Sequence, residues 1–290
     1  MKRLFGLLLA LVMLLACAGC GGGDKKAEEP APPANEQKSE SKVGALMPIG
    51  LDEEGYKRWT KNIAELEGQP AGYTAPSTVV FFDNMNSMIM ALKSKQIDRF
   101  ATPKTVGNYI VKHNDDLKLI DDNLKPILGY SMAMQEKSKA QIDEINEAIA
   151  AMRADGTLQK LIKENITELA GDDPVAATIP KIDGAETLKI AVTGDMPALD
   201  CILANNTPAG FNVAFLSELS KRINKNFELV SVEAGARGAA LSSGQVDILF
   251  WVLGTYDQDG KALPYPLDDM KGVAISIPYM MDSRVGVALN

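Results

Sequence analysis

The sequence predicts an α/β protein built from two similar lobes, on three observations. First, a strand-helix-strand unit runs from Phe227 to Trp251. Phe227 to Val232 alternates apolar and polar residues as a half-buried strand does, a helix ends at Ala240-Leu241 with Gly244 as its expected stop, and Gln245 to Trp251 forms a second strand. Second, the same order occurs about half a chain earlier: Val79 to Phe82 is an apolar strand, Asp83 is placed to cap a helix through Leu92, and Ala91 to Asp98 leads into Arg99-Phe100-Ala101. Third, the octets Ala91 to Asp98 and Ala240 to Asp247 share Ala, Leu, Ser, Gln and Asp at matched offsets. Any two such units look alike in outline. Identities in register point instead to one unit used twice, and so to two lobes rather than one extended sheet.

In chain order, Lys2-Arg3 followed by an apolar run from Leu4 to Leu15 has the build of a signal peptide over residues 1–16, too short to span a bilayer. It ends Leu14-Leu15-Ala16-Cys17, which resembles a bacterial lipobox and makes Cys17 the expected lipidated residue, with Cys20 the competing site. Residues 17–42 are rich in Gly, Lys, Glu, Ala and Pro with no apolar period, as expected of a disordered tether. Val43 to Met47 reads as a strand, Pro48-Ile49-Gly50 as a loop, and Asp52 as the cap of a helix carrying Tyr56, Trp59 and Ile63 on one face. Beyond the first repeat unit, Thr102 to Thr105 opens a helix through Val111, and Leu117 to Ile120 is a further strand. Gly129 to Met134 fits a strand passing between lobes. Ile142, Ile145, Ile149 and Met152 recur at helical spacing, Asp155-Gly156 turns, and Leu158, Leu161 and Ile162 continue an apolar face. Residues 167–186 form a linker, Leu188 to Val192 a strand, and Phe211 to Arg222 a helix. Leu253 to Lys271 reads as loop, and Val285 to Leu289 as a closing strand.

Composition limits the chemistry. An apolar fraction of 46% over 290 residues is ample for two cores. A formal charge of -8 with no basic cluster beyond the N-terminus excludes nucleic acid as a partner. His113 is the sole histidine and sits in a polar run, so neither a histidine-dependent triad nor a multi-histidine metal site is expected. Cys201 is the only cysteine outside the anchor region, which excludes a disulfide framework. No metal and no cofactor is expected. The methionines, including Met85, Met88 and Met90, read as core filler.

Several stretches together resemble the family-3 extracellular solute-binding proteins, the polar amino-acid receptors of ABC importers. They are Ala191 to Pro197, Gly210 to Val213, Ala240 to Asp247, Pro278-Tyr279, and Tyr130 to Met134 running on to Ile145-Asn146 and Asp155 to Leu158. The resemblance implies a two-lobed, class II periplasmic-binding-protein-like fold with a hinge and an interlobe cleft. Its segments stand in an unfamiliar order, which implies a circular permutation: residues 43–126 as lobe two, residues 127–290 as lobe one, the 167–186 linker joining the usual last helix to the usual first strand, and new termini at one of two hinge strands. Only the Gly129 to Met134 hinge would then be covalently continuous. The function implied is a non-enzymatic, lipid-anchored extracytoplasmic receptor that closes on a small polar solute, such as an amino acid, and presents it to a membrane permease; a monomer is expected.

The carboxyl ends of the strands place the cleft around Asp195 to Leu199, Phe250 to Gly254, Met47 to Leu51 and Thr102 to Thr105. The ligand-binding candidates are Asp195, Leu199, Trp251, Gly254, Arg237 and Thr102. Trp251 stands where the family usually has a small residue; its ring either stacks on a planar or cationic group or packs the lobe. Two family contacts are missing. Gln258-Asp259-Gly260 offers no arginine for a ligand carboxylate, and Pro103 replaces the aspartate that holds an ammonium, so Arg237 and Asp195 are the candidate substitutes, Arg237 otherwise being a surface residue. Two other classes remain open. One is a dehydratase or lyase on the same fold, for which only Asp195 and Asp200 are candidate paired carboxylates. The other is a sensory or partner-binding module without a ligand.

Overall fold

A computed structural model of the chain describes residues 41–47, 49, 54–55, 58, 77–121, 127–256, 261–263 and 272–290. The expected signal peptide, Cys17 and Cys20, nearly all of the tether, and the helix of Tyr56, Trp59 and Ile63 lie outside the described residues. The last two residues assigned to the tether, Ser41 and Lys42, begin a strand instead: their backbone pairs with Ser77 and Thr78.

Two sheets carry the fold. The first contains β1 (Ser41–Leu46), β2 (Ser77–Phe82), β3 (Arg99–Pro103) and β4 (Leu117–Ile120), with helices α1 (Met85–Lys93) and α2 (Lys104–Lys112). The chain then passes into β5 (Ile127–Gln135), α3 (Lys139–Ala154) and α4 (Thr157–Ile162). It continues through β6 (Thr187–Val192), the short strands β7 (Asp195–Met196), β8 (Asp200–Ile202) and β9 (Pro208–Ala209), α5 (Phe211–Ile223), β10 (Asn226–Ser231) and α6 (Arg237–Ser243). Last come β11 (Ile248–Tyr256), β12 (Ala262–Leu263), β13 (Val273–Ile275), β14 (Met280–Asp282) and β15 (Arg284–Leu289). The strand order is β2-β1-β3-β15-β4 in the first sheet and β10-β6-β11-β5-β13 in the second.

The two sheets are built alike. In each, three parallel strands (β2, β1, β3 and β10, β6, β11) are followed by one antiparallel strand, β15 or β5, that has come from the other lobe. The shared octet explains the common core of this plan. Gln96 and Gln245 both donate their amides back to the helix, to the carbonyls of Ala91 and Ala240. Lys95 and Gly244 both take positive φ, 60° and 76°, where the helix stops. Asp98 and Asp247 each clamp the neighbouring strand: the Asp98 carboxylate accepts from Lys42 N at 2.7 Å and its amide donates to Lys42 O, and Asp247 does the same to Lys189 at 2.8 Å. The Gln and Asp identities are therefore residues that close the helix end and set the register of the following strand, while the stop position itself keeps its backbone conformation with different residues.

The expected segment boundaries need three corrections. β15 was assigned to lobe one within residues 127–290, but it lies in the first sheet, between β3 and β4. Because β14 pairs with β5 in the second sheet, the chain crosses between sheets at Ser283 as well as between β4 and β5. Both crossings are thus covalently continuous, contrary to the expectation of one. β11 extends to Tyr256 and pairs with β12, so the segment after Leu253 is not all loop. The 167–186 linker is pinned along its length: Lys112 Nζ meets Asp172 at 2.7 Å, a Cβ on Gly171 would stand 2.9 Å from Asn108 O, and Ala176 bridges to Ala209.

Both sheets lie in one compact unit, 40–290. One buried apolar cluster joins Met85, Met88 and Phe100 of the first sheet's side with Met196, Phe211 and Trp251 of the second, and Ile49 packs with Val232, Ala240 and Leu249. The methionines at 85 and 88 are core residues, as expected, while Met90 is exposed. Among the described residues no helix is long and apolar enough to cross a membrane, and no cluster of His, Cys, Asp or Glu could hold a metal ion.

Candidate ligand cleft

A cavity of about 110 Å³ lies where the carboxyl ends of β1 and β3 face those of β6 and β11. It is lined from both sheets, by Met47, Thr102 and Pro103 on one side and by Thr193, Trp251 and Leu253 on the other, with Arg237 and Arg284 among the walls. Strand alternation accounts for part of this: Trp251 and Leu253 project to one face of β11. A register irregularity between Leu249 and Val252 marks the point where β11 enters the cleft, and Trp251 there has φ 64°, a left-handed conformation uncommon for a bulky side chain.

Trp251 is held on several sides. Its indole Nε1 donates to Asp200 Oδ2, and its ring meets Tyr130 edge-on at 4.6 Å and 84°. Asp200 is itself buried, at 3% exposure, and its other oxygen accepts from the Gly194 amide at 2.9 Å. Burial raises its pKa, opposed by hydrogen bonds from Trp251 and Gly194 and by the charge of Arg237. Asp200, a candidate paired carboxylate on the sequence, is thus a buried anchor for the indole.

Of the other candidates, the structure brings Thr102 and Arg237 to the cavity. Thr102 is 4% exposed, and its Oγ1 has no hydrogen-bond partner among the described residues. Arg237, placed alternatively on the surface, is 6% exposed and donates from Nη1 to Phe250 O at 2.8 Å. Asp195 does not line the cavity. Its Oδ2 accepts from the Met85 amide at 2.6 Å, so it places a carboxylate from the other lobe at the N-terminus of α1, whose N-cap is Asn84, accepting from Ser87 N, and not the expected Asp83. A second bridge, Ala234 N to Asp83 O at 3.0 Å, runs beside it.

Leu199 and Gly254 are not among the lining residues. Leu199 is fully buried in the core, because Ala198 at φ 68° turns the chain and directs residue 199 inward. Gly254 pairs with Gly129, and the Tyr256 ring covers its Cα: a Cβ there would lie 3.2 Å from the ring.

The sequence reading missed Asp282 and Arg284, which flank the crossing at Ser283. Asp282 accepts from Thr105 N at 2.9 Å and occupies the N-terminus of α2. Burial raises its pKa, opposed by that bond. Arg284 reaches the cavity from the first residue of β15. The only available signal was an arginine immediately before a strand, which is not specific.

The fold and cleft define a two-lobed α/β protein with an interlobe site. Residues 188–257, from β6 through β11, match the bacterial extracellular solute-binding proteins, family 3, and the resemblance read from the sequence is borne out there. Among solved structures, the chain is similar to the ligand-binding component of an ABC-type import system from Staphylococcus aureus with zinc bound, at TM-score 0.40 and 14% identity over 86% of this chain and 65% of that one. This chain therefore spans just under two thirds of that protein's length. It is also similar to a binding component of an ABC transporter from Wolinella succinogenes complexed with lysine (TM-score 0.40, 13% identity, 87% and 83% of the two chains). A third similar structure is a prephenate dehydratase from Arthrobacter aurescens in complex with L-Phe (TM-score 0.34, 11% identity, 86% and 60%). No curated protein matches the sequence significantly.

Proposed function

We propose that this protein is the lipid-anchored, extracytoplasmic solute receptor of an ABC importer, and that it closes its two lobes on a small solute for delivery to a membrane permease. The observation that carries this reading is the cavity lined from both sheets at their facing carboxyl ends, with two guanidinium groups in its walls. Closure is supported by the bonds that join the lobes directly, Asp195 to Met85 N and Ala234 N to Asp83 O. Cys17 is the proposed lipidation site, and a monomer the proposed state. We also propose that the lobes arose by circular permutation: the family-matched residues 188–257 follow the strands of the other lobe in this chain, and each sheet borrows its antiparallel strand from the other.

The test is a thermal-shift screen of the purified chain against amino acids, short peptides, sugars and organic acids, followed by calorimetry on any hit. A solute that binds tightly and is recovered unchanged supports the receptor. Product formation would favour the dehydratase or lyase reading, although Asp195 and Asp200, its candidate pair, are held by Met85 and Trp251. Silence across the panel would favour a partner-binding module.

A further inference from the structure

Resting on the receptor reading, we propose that Trp251 is a built-in occupant of the cleft: its indole, tied to Asp200, fills part of the interlobe site and so confines the solute to a compact molecule. The backbone carries the first sign. Trp251 has φ 64° in the middle of β11, within the stretch from Leu249 to Val252 where the pairing with β5 is irregular. A left-handed conformation is an outlier for a bulky side chain, and such strain persists where the surroundings hold the residue for a purpose. Here the regular ladder is given up, and residue 251 lines the cavity together with Met85, Met196 and Leu253.

The second sign is the polar handle. The indole Nε1 donates to Asp200 Oδ2, the Gly194 amide holds Oδ1 at 2.9 Å, and Asn212 Nδ2 stands 3.5 Å from the oxygen that the indole takes. A buried indole N–H needs only a neutral acceptor, whereas burying a carboxylate to supply one is costly. The result is an anionic subsite, oriented in advance and covered by the protein's own ring. The third sign is space. With the ring in place the cavity measures about 110 Å³, against the roughly 150 Å³ that accommodates benzene. Tyr130, also on the wall, meets the indole edge-on at 4.6 Å and fixes its tilt. The solute that fits is therefore smaller than a benzene ring or comparable to one, and it meets the indole rather than Asp200.

The test is titration calorimetry of Trp251→Gly with indole and its methyl derivatives, glycine being the residue that adopts this φ without strain. Wild type should not bind indole measurably, whereas Trp251→Gly should bind it and melt at a higher temperature in its presence. N-methylindole, which has no N–H, should bind roughly ten-fold or more weakly, the loss of one hydrogen bond to a buried charge. Of the four indoles methylated on the benzo ring, at least one should bind as tightly as indole or more tightly, because the vacated place opens onto the cavity. A tryptophan enclosed in ordinary core would instead leave a void that every added methyl overfills. Weakening by all four methyls, equal affinity for N-methylindole, no indole binding by a folded Trp251→Gly, or equal binding by wild type would each overturn the inference. If Trp251→Gly does not fold alone, its refolding yield with each indole gives the same ranking, and rescue by none counts against the inference. The receptor reading is judged separately: a wild type that binds a solute in the wider screen keeps that reading whatever indole does. A wild type silent there, beside a methyl scan as expected, loses the receptor but keeps the occupied cleft.

Discussion

The bond from the Met85 amide to Asp195 Oδ2 is the most direct link between the lobes, and Asp195→Ala tests whether it stabilises the closed form. The contact is short, 2.6 Å, and part-buried, and it supplies a negative charge to a helix N-terminus whose first turn contains no acid. A hydrogen bond to a charged group contributes about 1.5–3 kcal/mol, and a favourable charge at a helix end about 0.3–1 kcal/mol. Partial exposure reduces both, so about 1.5–2 kcal/mol is the working value. If the bond forms only when the lobes meet, that energy belongs to closure, and ligand affinity should fall by about 10- to 30-fold. Small-angle scattering should show a larger radius of gyration for the free variant. Asp195→Asn, which keeps an acceptor and loses the charge, should fall between. A variant that melts earlier yet binds its ligand as tightly as wild type would refute the reasoning, because Asp195 would then stabilise both states equally.

Other expectations follow from single residues. Lys95 sits at φ 60° on the surface, so Lys95→Gly should stabilise the chain by about 0.5–1 kcal/mol in urea unfolding. Gly244→Ala, at the matched position with open space around a new Cβ, should cost about 1 kcal/mol. Trp251→Gly removes a buried indole, a loss of about 3–5 kcal/mol, but relieves about 1 kcal/mol of left-handed strain. Its melting temperature should therefore drop, while bulkier solutes gain access to the cleft. Asp155 has its pKa lowered from 3.8 to about 2 by hydrogen bonds from Thr157 and Arg222. Its folded form holds protons more weakly than its unfolded form, so the contribution is present above about pH 4 and is lost as pH falls toward 2. The melting difference between wild type and Asp155→Asn should vanish across that window.

The duplicated unit was legible because its information is local. Asp98 and Asp247 act on the adjacent strand, and Lys95 and Gly244 end the helix they belong to, so spacing alone identifies them. Thr102, Arg237 and Trp251 were reachable by the same logic, since the sequence pattern puts each near the end of a strand or the start of a helix facing the crevice, although β11 in fact runs on past Trp251 to Tyr256. The misses depend on long-range or single-residue geometry. Val285 to Leu289 reads correctly as a strand, but its insertion between β3 and β4 is set by partners distant in the chain, and Arg284 enters the cleft only as a result. Leu199 looked like a loop residue on the cleft until the left-handed turn at Ala198 directed it into the core. Asp282 has no sequence signature, because its partner is a backbone amide far away in the chain.

The position of β15 also governs the order of assembly. As the chain leaves the ribosome, β1 to β4 emerge first, yet β3 and β4 do not pair with each other, and the strand that joins them is made after the whole of the other lobe. Residues 127–282 can therefore fold before the first sheet is complete, with the earliest-made segment waiting on the latest. Until β15 arrives such a chain presents β3's open edge, and translation arrest just before Arg284 should trap one finished lobe beside one unfinished lobe.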